Sequence, residues 1–137
     1  MSAGHTEVTT PDPELFFDPS EECGIREVLD RIGDKWSVQV MVELSRGVRR
    51  FRELQRALPG GISQRMLTLT VRRLERDGLV ARTVYPTVPP QVEYELTGLG
   101  WSLARLVRSL ADWSREHRAE MADFRHQWDE AHRGAAE

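Results

Sequence analysis

The sequence predicts a mainly α-helical fold with one small β-hairpin, and three observations carry that expectation. Apolar residues recur at three- and four-residue spacing in successive segments from Ile25 to Trp113. Period-two alternation is clearest at Val92, Tyr94 and Leu96. Breaks containing Gly or Pro separate the segments, with capping residues beside them.

Residues 1–18 are rich in Thr, Pro, Asp and Glu, show no period, and read as a flexible N-terminal tail. Ile25, Val28, Leu29 and Ile32 then mark a first helix, which Gly33 is placed to end in a left-handed cap. Asp34 is placed to cap a second helix over residues 35–45, with Trp36, Val40, Met41 and Leu44 inward and Gly47 closing it. "VRRF" is a short extended piece, and Phe51, Leu54 and Leu58 belong to a third helix. Pro59-Gly60-Gly61 makes a tight turn. Ser63 is an N-cap for a fourth helix anchored by Leu67, Val71 and Leu74, and Ile62 and Leu67 hold the two positions of a hydrophobic staple. That helix ends at Asp77-Gly78.

"LVARTVY" and "QVEYELT" read as two strands, and the three prolines between them predict a projecting loop, not a tight hairpin. Thr97 caps a long helix holding Leu99, Leu103, Leu106, Val107, Leu110 and Trp113. Met121, Phe124 and Trp128 either continue it or fold back. The expected units are the tail at 1–18, a folded domain at 19–118, and a C-terminal helical extension at 119–137.

With 137 residues, the chain has room for one domain with a real core. It contains no apolar run near the roughly 20 residues of a membrane span, and its N-terminus lacks the pattern of a secretion signal, so a cytoplasmic location is expected. A single cysteine excludes an internal disulfide and an all-cysteine metal site. Net charge is −3, yet residues 46–82 carry ten arginines against Glu53, Glu75 and Asp77, a local balance of +7. Residues 1–30 carry eight acids and one arginine. Segregated positive charge of this kind points to an anionic partner, nucleic acid first.

Three helices, a Gly-containing turn, a further helix and a hairpin form the winged helix-turn-helix order, whose second helix of the pair enters the DNA major groove. At 100° per residue, Gln64, Arg65, Thr68, Leu69 and Arg72 spread over the face opposite Leu67 and Leu74. They are the candidate base contacts: Arg pairs with guanine, Gln with adenine, and an apolar group touches the thymine methyl. For Leu69, packing under the wing or plain exposure is the alternative. Candidate backbone contacts are Arg49, Arg50, Arg52, Ser63, Arg73, Arg76 and, in the wing, Gln91.

Residues 23–100 also resemble the HxlR-type winged helix-turn-helix transcriptional regulators. Cys23, "GDKW", "RRFRELQRALPGGISQRMLT", "LERDGLV", "YPTVPP" and "VEYELTGLG" carry the resemblance. It implies a homodimer on an inverted-repeat operator, with the 63–77 helix in the major groove and dimerisation through the first and long C-terminal helices. Candidate interface residues are Ile25, Leu29, Trp101, Leu106, Leu110 and Trp113. The family usually has polar residues where this chain has Leu69 and Thr70, and commonly a basic residue at Gln91. Cys23 is followed by Gly, not the frequent Pro.

Some relatives sense oxidants or electrophiles through the cysteine corresponding to Cys23, which makes it a candidate redox sensor; Glu21 and Glu22 beside it disfavour the thiolate, and a buried packing role is the alternative. Trp36, Trp101, Trp113, Phe124 and Trp128 could line a ligand pocket, but aromatics at helical spacing more commonly serve core or interface. His5, His117, His126 and His132 show no metal-ligand spacing, and no phosphate loop, nucleophile elbow or carboxylate pair appears. No metal, cofactor or enzymatic activity is expected. The expected function is a homodimeric, sequence-specific transcriptional regulator, a repressor, with double-stranded DNA and a second copy as partners, a small molecule or oxidant as candidate effector, and no membrane. The rivals are a MarR-like regulator with a ligand pocket at its helical dimer interface and a winged-helix module that binds protein.

Overall fold

The computed structural model describes Thr10 and residues 22–134, without the side chains of Glu22 and Cys23. The tail expected at 1–18 lies outside the described residues apart from Thr10.

Asp34 separates the first two helices, α1 (Glu22–Gly33) and α2 (Lys35–Leu44). Its extended backbone breaks the helix, and its carboxylate accepts from the Trp36 N–H at 3.1 Å and the buried Ser37 hydroxyl at 2.8 Å. Gly33 keeps a negative φ, so the left-handed cap expected there does not form; Asp34 alone makes the break. "VRRF" becomes β1 (Arg49–Arg50) leading directly into α3 (Phe51–Ala57). Glu53, at the third helical position, reaches back to the Arg50 N–H at 2.8 Å and places negative charge at the helix start. Leu58 leaves the helix one residue earlier than expected, because Pro59 disfavours the helical conformation before it.

The turn through Gly60 and Gly61 takes φ values of +89° and +70°, open to glycine without strain. Helix α4 (Gln64–Arg76) follows, capped by the Ser63 hydroxyl, which accepts from the Met66 N–H at 3.1 Å. Ile62 and Leu67 are both buried, as the staple requires. At its end Gly78 has φ +75°, and the N–H groups of Gly78 and Leu79 return to the carbonyls of Glu75 and Leu74 at 3.0 and 2.9 Å. This is the Schellman arrangement, and it stops α4 at the Asp77-Gly78 pair.

Strands β2 (Val80–Tyr85) and β3 (Gln91–Leu96) pair antiparallel, Val80 opposite Leu96 and Tyr85 opposite Gln91. β1 adds to the other edge of β3, so the expected two-stranded wing is rooted in a three-stranded sheet of order β1-β3-β2. The final stretch does not fold back: α5 (Gly98–Ala131) is one uninterrupted helix, about 51 Å long at 1.5 Å per residue. Among the described residues, no helix is long and apolar enough to cross a membrane.

The core gathers Val40, Met41 and Leu44 from α2, Leu54 from α3, Leu67, Val71 and Leu74 from α4, and Tyr94 and Leu96 from β3. Helix α5 reaches it through Leu103 and Ala104 and through the buried Gly100. A methyl group at Gly100 would stand 2.0 Å from the Leu79 carbonyl oxygen and 3.1 Å from Leu96 Cδ2. Backbone cannot yield there without moving α5. Gly100→Ala is therefore expected to cost about 1–3 kcal/mol, read as a lower urea midpoint. An unchanged midpoint would mean that α5 does not approach Leu79 this closely.

Candidate nucleic-acid interface

The outer face of α4 is built by the residues that hold its inner face. Leu67, Thr70, Val71 and Leu74 are buried against α2 and the sheet, which turns Arg65, Leu69, Arg72 and Arg76 outward. Thr70 buries its hydroxyl by donating to the Met66 carbonyl at 2.8 Å. Thr68 donates in the same way to the Gln64 carbonyl at 2.8 Å, which leaves its oxygen lone pairs as acceptors. Gln64, Arg65, Thr68, Leu69 and Arg72 line one shallow open depression of about 600 Å³, so the five candidate base contacts share a continuous surface. Leu69 is 41% exposed and does not pack under the wing.

Beside this surface runs a groove of about 680 Å³ between α4 and the sheet, walled by Arg72 and Arg76 on one side and by Phe51, Arg82 and Tyr94 on the other. Arg82 Nε lies 3.7 Å from Glu75 Oε1. Burial pushes the Tyr94 phenol above its ordinary pKa, against the opposing pull of Arg82 and Arg72, and so favours the neutral hydroxyl. At the other flank, Arg52, Gln55 and Arg56 of α3 border Gln64. Arg56 and Arg82 join the cationic surface although sequence reasoning did not single them out. Their membership in the arginine block was visible; their positions depend on how α3 and β2 dock against α4.

The candidate backbone contacts divide. Arg65, Arg72, Arg73 and Arg76 form no ion pair among the described residues. Ser63 stands at the start of α4 as expected. Arg49, in contrast, is half-buried with Nε 3.8 Å from Glu43 Oε1, turned toward α2. Gln91 begins β3 at the outer end of the wing, opposite Tyr85 and away from the α4 cluster. The charge of Glu93, then its hydrogen bond, raises the pKa of the exposed Tyr85.

The candidate interface residues do not form one patch. Leu106, Leu110 and Trp113 are exposed along one stripe of α5, and Leu29 is exposed on α1 beside half-buried Ile25. Trp101 stands on another face of α5, against Met41 and Val42 of α2. The side chain of Cys23 lies outside the described residues; its backbone is in the first turn of α1. At the other end of α1, Arg31 is hydrogen-bonded to Asp77, the C-cap of α4, and this contact raises its pKa. Among the described residues, no group of His, Cys, Asp and Glu is arranged to hold a metal ion.

Residues 31–122 match the HxlR-like helix-turn-helix family. The HTH-type transcriptional regulator YtfH of Escherichia coli is 45% identical over 94 residues, 69% of this chain and 74% of that protein. A transcriptional regulator of the MarR family from Enterococcus faecalis V583 superposes with a TM-score of 0.68 at 38% identity, over 82% of this chain and 99% of the other. The redox regulator HypR in its reduced form superposes with a TM-score of 0.65 at 41% identity, over 73% and 98%.

The division of α4 into inner and outer faces predicts opposite outcomes for two leucines two residues apart. Leu67→Ala is expected to cost about 2–5 kcal/mol of stability in urea unfolding. Leu69→Ala should stay within about 0.5 kcal/mol of the parent chain. Equal losses would place Leu69 in the core and remove it from the outer surface.

Proposed function

Because this chain belongs to the HxlR-like helix-turn-helix family, whose relatives are HTH-type transcriptional regulators, we propose that it is a cytoplasmic repressor that binds an inverted-repeat operator as a homodimer. The observation that carries the reading is the common surface of Gln64, Arg65, Thr68, Leu69 and Arg72 on the exposed face of α4. Arg65 and Arg72 present guanidinium forks suited to guanine, Gln64 an amide suited to adenine, and Leu69 an apolar group for a thymine methyl. Arg50, Arg52, Arg73 and Arg76, with Ser63 at the helix start, hold the phosphates on either side. The homodimer pairs through α1 and the Leu106, Leu110 and Trp113 stripe of α5, so two α4 helices read half-sites about one DNA turn apart. The similarity to the redox regulator HypR supports Cys23 as a thiol sensor. With one cysteine per chain, its oxidation joins two chains or forms a mixed adduct.

Fluorescence anisotropy with random duplex DNA tests the electrostatic part. Binding at low salt should weaken steeply as salt rises, with a slope of about −0.9 per phosphate contact. No binding at low salt would overturn the reading. Once an operator is in hand, Arg65→Ala should weaken specific binding by about 1–3 kcal/mol and random-duplex binding far less; equal losses would make Arg65 a phosphate contact only. Cys23→Ser should abolish the response of DNA binding to diamide, and a persisting response would take Cys23 out of the mechanism.

A further inference from the structure

Strand β2 carries an arginine where its alternation calls for an apolar residue. Val80, Arg82 and Val84 share one face of β2, opposite Leu96, Tyr94 and Val92 of β3. Val80, Tyr94 and Leu96 are buried, whereas Arg82 is exposed and stands over the groove of about 680 Å³ between the sheet and α4. Glu75 meets it there from α4 at 3.7 Å, and the two side chains are 49% and 39% exposed. At that distance and exposure the pair is a loose ionic contact without a hydrogen bond, and it adds little to the stability of the fold. Glu75 is the one acid among the groove-lining residues, against Arg72, Arg76 and Arg82. The groove therefore keeps an excess of positive charge after the pair has formed. The charges of Arg82, Glu75 and Arg72 all act on the Tyr94 phenol, so they gather around one point of it.

Resting on the DNA reading above, we propose that Glu75 is a built-in competitor of DNA: it holds Arg82 in the free chain and yields it to a backbone phosphate when a duplex docks. Gln64, Thr68 and Arg72 line both this groove and the depression that holds Leu69, so the two surfaces are continuous. A strand read at Leu69 can carry its backbone along α4 into the groove, where Arg72 and Arg76 bind the phosphate together with Arg82. To a guanidinium, a carboxylate and a phosphate are the same kind of acceptor, and a phosphate offers two oxygens to both arms of the fork. The loose contact to Glu75 thus gives way to a closer one, and Glu75, half-exposed, passes to water at little cost. The restraint acts on every duplex alike, because a phosphate carries no sequence information. Packing alone does not call for arginine at position 82, since an apolar side chain would continue the row of Val80 and Val84.

Fluorescence anisotropy of the full chain and its variants with random duplex DNA, over a salt series, reads the exchange. Glu75→Gln should raise affinity about two- to fivefold, the scale of a half-exposed ion pair released. Arg82→Gln should lower affinity and flatten the salt slope by about 1, while Arg82→Lys keeps the slope. With Arg82→Gln in place, the gain from Glu75→Gln should disappear, because there is no arginine left to release. Urea midpoints of the variants should stay close to that of the parent chain. A parent that binds DNA while Glu75→Gln leaves affinity unchanged or lower overturns this inference alone. So does an unchanged salt slope in Arg82→Gln, or a gain from Glu75→Gln of equal size in both backgrounds, which would be a field effect that bypasses Arg82. A large fall in the urea midpoint of both single variants would make the pair a support of the fold and overturn it as well. A parent that does not bind at low salt overturns the DNA reading, and this inference with it.

Discussion

One close approach ties the outer face of α4 to the rest of the molecule, that of Gly100 to the carbonyl of Leu79. Around it, the Thr97 hydroxyl donates to the Gly78 carbonyl at 2.5 Å and accepts from the Gly100 N–H at 3.0 Å. The Thr97 N–H donates to the Leu79 carbonyl at 3.1 Å, while the Leu79 N–H closes α4 on Leu74. The exit of α4, the start of β2, the end of β3 and the start of α5 therefore share a few backbone groups. Such a junction leaves little freedom to swing α5 without moving α4. In the homodimer proposed above, pairing two α5 helices would therefore set where two α4 helices stand, which is what an operator of fixed half-site spacing demands.

The arginines acquire different values once their partners are known. Glu43 is buried, and a buried carboxylate without a partner is costly, so Arg49 serves the fold. The Arg82–Glu75 pair is half-exposed and worth at most about 1 kcal/mol, little enough to exchange for a phosphate. Arg65, Arg72, Arg73 and Arg76 have nothing to give up. The positive field that the +7 block creates is thus delivered by residues on α4 and its flanks, not by the block as a whole.

What the sequence disclosed follows the range of the interactions involved. Capping by Asp34, Ser63 and Thr97, the staple of Ile62 and Leu67, the exit at Gly78 and the apolar side of α4 are local patterns, and the structure contains each of them. The five candidate base contacts were legible for the same reason, since one helix period places them on one face. Pairing of β1 with β3 joins residues more than forty positions apart, and two residues of "VRRF" carry no alternation that could announce it. The Arg49–Glu43 pair was not legible for a related cause: nothing local tells an arginine that it will meet Glu43. Trp101 shows a different difficulty. It belongs to α5 as expected, and the helix period alone sets it about 140–180° from Leu106 and Leu110; what the docking of α2 adds is that this face of α5 lines a groove with Met41 and Val42.

Helix α5 carries an apolar stripe that its own domain does not cover. Leu99, Leu106, Leu110, Trp113, Phe124 and Trp128 are all exposed and fall on one stripe, while its core contacts stop at Ala104. The indoles are held in place along the helix: Trp113 stacks on His117 with ring centroids 4.5 Å apart, and Trp128 on His132 at 3.7 Å. In each pair the imidazole Nδ1 donates to the tryptophan carbonyl, which fixes the ring that the indole lies against. An apolar stripe extending about 40 Å past the core has no reason to stay helical in water unless something covers it. In the proposed homodimer a second α5 would cover it with the same residues, and the stripe continues to Trp128, beyond the family match that ends at residue 122. The face toward α2 has the opposite character, with charge above a narrow apolar floor. The homodimer proposed above would use the first face, whose apolar side chains its own domain leaves uncovered.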